Sequence, residues 1–206
     1  MNKKTIALTL LGLASAFALT TTSVKAVETT NTTGSNITIQ GSDLSVSNVT
    51  DKLEFRNLTI DGEGSARTSS ATGDLQLIIA DLRGTRGGWH VTAEHTGLST
   101  SDEGDRLDGT TISLTGASLT NNVDSSTNAP TLDLTSPLSI GTESVLISNA
   151  AEGNGMGSWV HSWTAGNINL TIPAKEARDM YADQYTTTIN WNLVAGPQVT
   201  ESIPAE

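Results

Sequence analysis

The chain has 206 residues, 22 acidic against 11 basic, and no cysteine. The formal charge of −11 argues against nucleic acid as a ligand, because phosphate binding needs cationic neutralisation, and it favours solubility and mutual repulsion. Without cysteine, stability must come from packing alone, and the length is enough for one domain with its own core.

Residues 1–26 read as a secretory signal peptide. Lys3 and Lys4 make the positive start, 6–19 is an apolar run, and Val24-Lys25-Ala26 supplies a small-residue cleavage site. That run is shorter than the ~20 residues a spanning helix needs, and no later segment is apolar enough, so no membrane span is expected in the mature chain. Cleavage removes Lys3, Lys4 and Lys25 and leaves the mature chain more acidic. A cysteine-free exported chain suits a Gram-positive surface, where triplets such as Asn36-Ile37-Thr38 are strand composition rather than glycosylation sites. Residues 27–35 read as a flexible lead-in.

Short β-type segments follow, at 37–49, 52–60, 75–82, 88–95, 110–115, 131–134, 144–148, 158–163, 167–172 and 185–194. Turn residues separate them at 61–64, 102–105, 121–122, 125–130 and 153–155. This spacing predicts an all-β fold over 36–197: a single antiparallel β-sandwich or barrel-like domain with long Gly/Ser/Asn-rich loops. At most one short helix is expected, within 174–181, with Pro173 as its first residue and Ala177, Met180 and Tyr181 at helical spacing. Residues 198–206 read as a frayed tail.

Two tryptophan stretches carry the most information. In 185–194, Tyr185, Thr187, Ile189, Trp191 and Leu193 share one face, while the opposite face is almost wholly polar. In 88–95, Trp89, Val91 and Ala93 share a face opposite His90, Thr92 and Glu94. Both tryptophans are therefore expected to be core anchors. Trp159 and Trp163 also share a face, next to the glycine-rich run that holds Asn154 and Met156. Two readings stand there: a groove with these four residues as a contact surface, or a glycine-rich hairpin with a tryptophan packed beneath it.

With these stretches placed, the chain resembles the WxL domain family of low-GC Gram-positive surface proteins. The distal match is Tyr185, then Trp191-Asn192-Leu193, then Pro197. Upstream, Leu82-Arg83-Gly84-Thr85-Arg86-Gly87-Gly88-Trp89 resembles the glycine-rich lead into the family's first motif. The run Gly155-Met156-Gly157, followed by 167–173, resembles the interval between the motifs. The chain departs at Trp89-His90-Val91, where the family usually has Leu at the third place, and at 174–183, which is longer and more charged than the family pattern. The resemblance implies a non-catalytic protein held non-covalently on the cell wall, with peptidoglycan as ligand and co-exported surface proteins as partners. Residues 197–206 carry no sortase-type Leu-Pro-x-Thr-Gly signal, which agrees with non-covalent attachment. The rival readings are a secreted wall or polysaccharide hydrolase and an adhesin for a host extracellular protein.

Chemistry beyond binding is sparse. His90, His95 and His161 show no metal-ligand spacing, there is no Gly-x-Ser-x-Gly elbow, and no cofactor motif is present. The acidic stretch with Asp102, Glu103, Asp105 and Asp108 lacks the alternate-position carboxylates of an EF-hand and reads as a solvated turn rather than a Ca²⁺ site. No catalytic, cofactor or metal residue is assigned.

Overall fold

Period-two alternation accounts for the principal strands. The computed structural model describes residues 37–60, 62, 64–102, 104–121, 128–132 and 137–198. The expected leader and lead-in lie outside these residues. So do Asn36, residues 199–206 of the expected tail, parts of the turns at 61–64, 102–105, 121–122 and 125–130, and 133–134 of one expected strand. Among the described residues the strands are β1 Leu44–Val49, β2 Arg67–Ser70, β3 Leu75–Asp81, β4 Trp89–His95, β5 Leu98–Ser99, β6 Arg106–Leu107 and β7 Thr111–Leu114. They continue as β8 Ser118–Asn121, β9 Thr131–Leu132, β10 Leu138–Ile140, β11 Val145–Ala150, β12 Gly157–Trp163, β13 Ile168–Ile172 and β14 Ile189–Ala195, with one α-helix, α1 Ala174–Asp179.

Three four-stranded sheets result, ordered β1-β3-β12-β8, β10-β7-β13-β2 and β14-β4-β11-β9, with β5-β6 as a small ribbon. The pairings between these strands are antiparallel, and the architecture is an all-β sandwich rather than a closed barrel. The first and third sheets face each other across the tryptophans. From β12, Trp159, His161 and Trp163 point inward, in register with Ile79, Leu77 and Leu75 of β3. From β4, Trp89, Val91, Ala93 and His95 point inward. The Trp89 indole meets the His161 ring edge-on, with centroids 6.2 Å apart. Residues of the remaining sheet, among them Ile112, Ile140 and Ile168, join the same core.

A bulge in β11 matters to this core. The register against β4 shifts between Leu146 and Ser148, so Ile147 and Ser148 are both fully buried although they are adjacent in sequence. Regular alternation would send one of them outward. The buried position lets the Ser148 hydroxyl meet His161.

The differences from the expected elements have local causes. The expected strand at 37–49 begins only at Leu44. The stretch 52–60 has the alternation of a strand but makes only a single bridge, Phe55 to Ala71. It instead lies as a strap whose Leu53, Phe55 and Leu58 pack against the core. The strands β2 and β8 are short and mostly polar, so pairing rather than pattern creates them, while β5, β6 and β10 are only two or three residues long. In the helix, Pro173 is the N-cap, with extended backbone (φ −66, ψ 155), and not the first helical residue. Ala177 is buried and Met180 partly so, but the helix ends at Asp179 and Tyr181 is exposed.

Burying an indole of 150–250 Å² stabilises by roughly 4–6 kcal/mol before entropy is subtracted. Trp89 is 0 % exposed on a central strand. Trp191 lies opposite Ala93 on the edge strand β14 and is only half-buried, short of the full burial its alternation suggests. Trp89→Ala is therefore expected to cost about 3–5 kcal/mol, and Trp191→Ala less, about 1–3 kcal/mol. Urea unfolding of both variants measures the order; equal losses would show that the edge position confers no relief.

Candidate functional site: the glycine-rich end of the sandwich

Trp89 can be buried only if its indole N–H finds an acceptor. It donates to the Gly155 carbonyl at 3.0 Å, which draws the loop at 153–157 over the start of β4. Gly155 sits with φ +73, and a Cβ there would fall against Ala150 and 2.7 Å from the Trp89 Nε1. Gly88, at φ +67, has the same problem: a Cβ would run into the Ala150 carbonyl and come within 3.0 Å of Ala151. Only glycine meets both demands. The Gly88 carbonyl accepts the Gly196 N–H at 3.0 Å, and His90 Nδ1 donates to the Gly196 carbonyl at 2.8 Å.

The loop between β3 and β4 is braced from below. Arg83 grips Asp81 with both Nε and Nη2, each at 2.9 Å, and Nη2 also reaches the Gly88 carbonyl at 2.7 Å. Asp81 is buried at the end of β3. Its hydrogen bond pushes the pKa of Arg83 further up, so the guanidinium stays charged in this bidentate contact. Above it, Arg86 is exposed and holds a left-handed backbone, φ 58, which is uncommon for a residue with a side chain. The Arg86 carbonyl accepts the Gly153 N–H at 2.8 Å. At the far side, Gln198 N–H donates to Asn149 Oδ1 at 3.0 Å.

Three stretches distant in sequence, 82–89, 153–157 and 194–198, thus meet at one end of the third sheet. Residues 25–197 match the family described as WxL domain, surface cell wall-binding. The chain belongs to the WxL family. Membership places the protein at the cell-wall surface and makes cell-wall binding its role. No curated protein and no solved structure matches the chain.

In this WxL domain the two tryptophan motifs are neighbours. The strands β4 and β14 pair over their full length, with Leu193 opposite Val91 and Trp191 opposite Ala93. Val91 is fully buried and in register. Pro197 is half-buried after Gly196, and the Tyr185 hydroxyl accepts the Tyr181 N–H at 3.0 Å. The expectation of Trp159 and Trp163 as contact residues is corrected. They are 6 % and 2 % exposed, because alternation along β12 turns both into the space between the sheets. Trp159 donates to the Met156 carbonyl at 3.0 Å, so it shapes the loop from within. Asn154 and Met156 are half-buried in that loop.

His161 has a polar role in the core that its sequence context did not announce. Ser148 donates its hydroxyl proton to the Thr131 carbonyl at 3.0 Å, so it accepts from His161 Nε2–H, also at 3.0 Å. Nδ1 is then the bare nitrogen, buried with no hydrogen-bond partner among the described residues. Burial lowers its pKa to about 4, partly offset by the Leu77 and Trp159 backbone. The Ser–His contact is sealed from solvent on both sides and orients core groups rather than activating a nucleophile. His95, at the other end of the inward row of β4, accepts the Gly97 N–H on Nδ1 and donates from Nε2 to the Thr110 carbonyl.

In the acidic loop Asp102 and Asp108 have partners of their own. Asp102 accepts the Thr100 hydroxyl at 2.6 Å and the Gly104 N–H at 3.1 Å, which lower its pKa in that order. Asp108 pairs with Arg106 at 2.9 Å. Glu103 lies outside the described residues. Among the described residues no group of three or more His, Asp or Glu is placed to hold a metal ion.

The folded pKa of His161, about 4, lies below its ordinary 6.5, so between these values the unfolded chain binds a proton that the native chain does not. Stability from this group is full above pH 6.5 and falls as pH drops toward 4, by about 3 kcal/mol at the lower end. The difference in pH dependence between wild type and His161→Gln isolates that contribution; parallel curves would refute it. Millimolar Ca²⁺ is expected to leave the melting temperature unchanged, whereas a ligand at 100 times its dissociation constant would add ~2.7 kcal/mol and several degrees.

Proposed function

We propose that this WxL protein is a non-catalytic subunit held non-covalently on peptidoglycan through its glycine-rich end, and that it assembles there with co-exported surface proteins. The observation that carries this reading is the convergence of 82–89, 153–157 and 194–198, which include the lead to Trp89, Gly155-Met156-Gly157 and Pro197, onto one end of the sheet, braced by Trp89, Asp81 and Arg83. Peptidoglycan offers hydroxyls, amides and carboxylates. The end offers one exposed cation, Arg86, with Thr85, Asn154 and Gln198 in the loops of this end and His90 at the start of β4. A guanidinium suits a peptide-stem carboxylate. Hydrogen bonds to the amide and hydroxyl groups suit the remaining side chains, and little apolar contact is called for. The strain stored at Arg86 fits a residue aimed for contact rather than for packing.

Purified cell wall pelleted with the mature protein tests the reading, with released fragments assayed in parallel. Wild type is expected to pellet, to release no glycan or peptide, and to be stripped by denaturant without muramidase. Arg86→Gly relieves the left-handed backbone, so folding is kept while the side chain is lost. Combined with Asn154→Ala it is expected to weaken pelleting about tenfold, equivalent to ~1.4 kcal/mol. Full pelleting by the double variant would move the contact face elsewhere, and fragment release would favour the hydrolase.

A further inference from the structure

The strand that carries the Trp191-Asn192-Leu193 motif is an edge strand, and its free edge is regular. Thr96 N–H donates to the Thr188 carbonyl and Gly196 N–H to the Gly88 carbonyl. Both pairs belong to the single unshifted register between β4 and β14. In an antiparallel ladder, hydrogen-bonded pairs recur at every second residue. Asn190, Asn192 and Val194 therefore point their backbone groups at β4, and Ile189, Trp191, Leu193 and Ala195 point theirs away from the sheet. Among the described residues no other strand pairs with that side. Edges of this kind are normally blunted by a charge, a proline or a bulge. β14 has none of these over seven residues. Beside it runs β1, the edge of the facing sheet, and the half-buried Leu44, Val46, Trp191 and Leu193 form an apolar seam between the two.

The same chain carries a segment with the complementary character. Ile37 and Ile39, separated by Thr38, have the alternation of a strand, belong to no sheet, and are 85 % and 86 % exposed. Two large aliphatic side chains left in water two residues apart match the spacing of Trp191 and Leu193 on β14. Charge points to a second copy as the source. The chain carries 22 acidic and 11 basic residues, so most faces of two copies repel. Yet neither 29–42 nor 184–200 contains an Asp, Glu, Lys or Arg.

We infer that β14 is an acceptor edge for a strand supplied by a second copy of this chain, namely the segment around Ile37 to Gln40, and that reciprocal donation closes a dimer. Backbone bonds to the outward groups of Trp191 and Leu193 provide the ladder. Ile37 and Ile39 cover the seam, and Thr38 faces solvent. The site runs along β14 away from the glycine-rich end proposed to meet the wall and shares only Val194 and Ala195 with it, so the lysine pair at 37 and 39 separates self-association from wall binding.

Light scattering of the mature protein over a range of concentrations is the experiment. Wild type is expected to give a dimer mass at the upper end. Ala195→Pro removes one outward N–H from an exposed edge position, where proline is tolerated. The pair Ile37→Lys and Ile39→Lys alters side chains that make no core contact. Each variant is expected to raise the dimer dissociation constant at least tenfold while the monomer keeps its melting temperature at low concentration. A mixture of the two is expected to give a mixed dimer, because the first retains a donor and the second an acceptor. A monomer mass for wild type at all concentrations overturns the inference. So does a dimer that both variants leave intact, or variants that fail to pair when mixed.

Discussion

The fold turns on one requirement: a full indole at the centre of a small sandwich must lose its water and still satisfy its N–H. Trp89 does this with a backbone carbonyl, Gly155, from a loop more than sixty residues away in the chain. An acceptor that close over the ring leaves no space for a side chain on the residue that supplies it. The glycine at 155 follows from that contact, and the one at 88 from the close approach of the Ala150 carbonyl. The surface made by 82–89, 153–157 and 194–198 is thus the outer side of a packing solution and inherits the rigidity of the core.

Polar groups inside the sandwich extend the same logic. The bulge in β11 turns Ser148 inward, where it gives its proton to Thr131 and receives one from His161. The stacked His161 and Trp163 rings, centroids 6.5 Å apart, fill the layer next to Trp89. A histidine in that layer is kept neutral by burial, at the cost of a nitrogen without a partner. The Asp81–Arg83 pair marks the border of this interior. Its carboxylate is buried and its guanidinium reaches the loop, so this charge fixes the path toward Gly88.

The two family motifs differ in exposure because their strands differ in place. The strand β4 lies between β14 and β11, so Trp89 is covered from both sides. The strand β14 ends the sheet, and Trp191 is covered from one side only. Equal residues at equal spacing thus divide into a core anchor and a half-open edge, and the edge motif is the one with backbone groups to offer a partner.

Alternation in the sequence by itself determined the all-β class, the location of most long strands, and the shared inward face of Trp89, Val91 and Ala93 and of Trp191 and Leu193. The ordered tryptophan, glycine and proline stretches determined the family. These are local facts, because the two-residue period of a strand is written in neighbouring side chains. The tertiary structure alone decided which strand is central and which is an edge, and hence why Trp159 and Trp163 are buried while Trp191 is half-open. It also decided that polar runs such as Arg67–Ser70 become strands while the alternating stretch 52–60 does not, since a ladder needs a partner at the right distance. The Arg83–Asp81 brace, the left-handed Arg86 and the His161–Ser148 contact were equally hidden. Periodicity shows which side chains share a face, but what covers that face is set by segments tens of residues away.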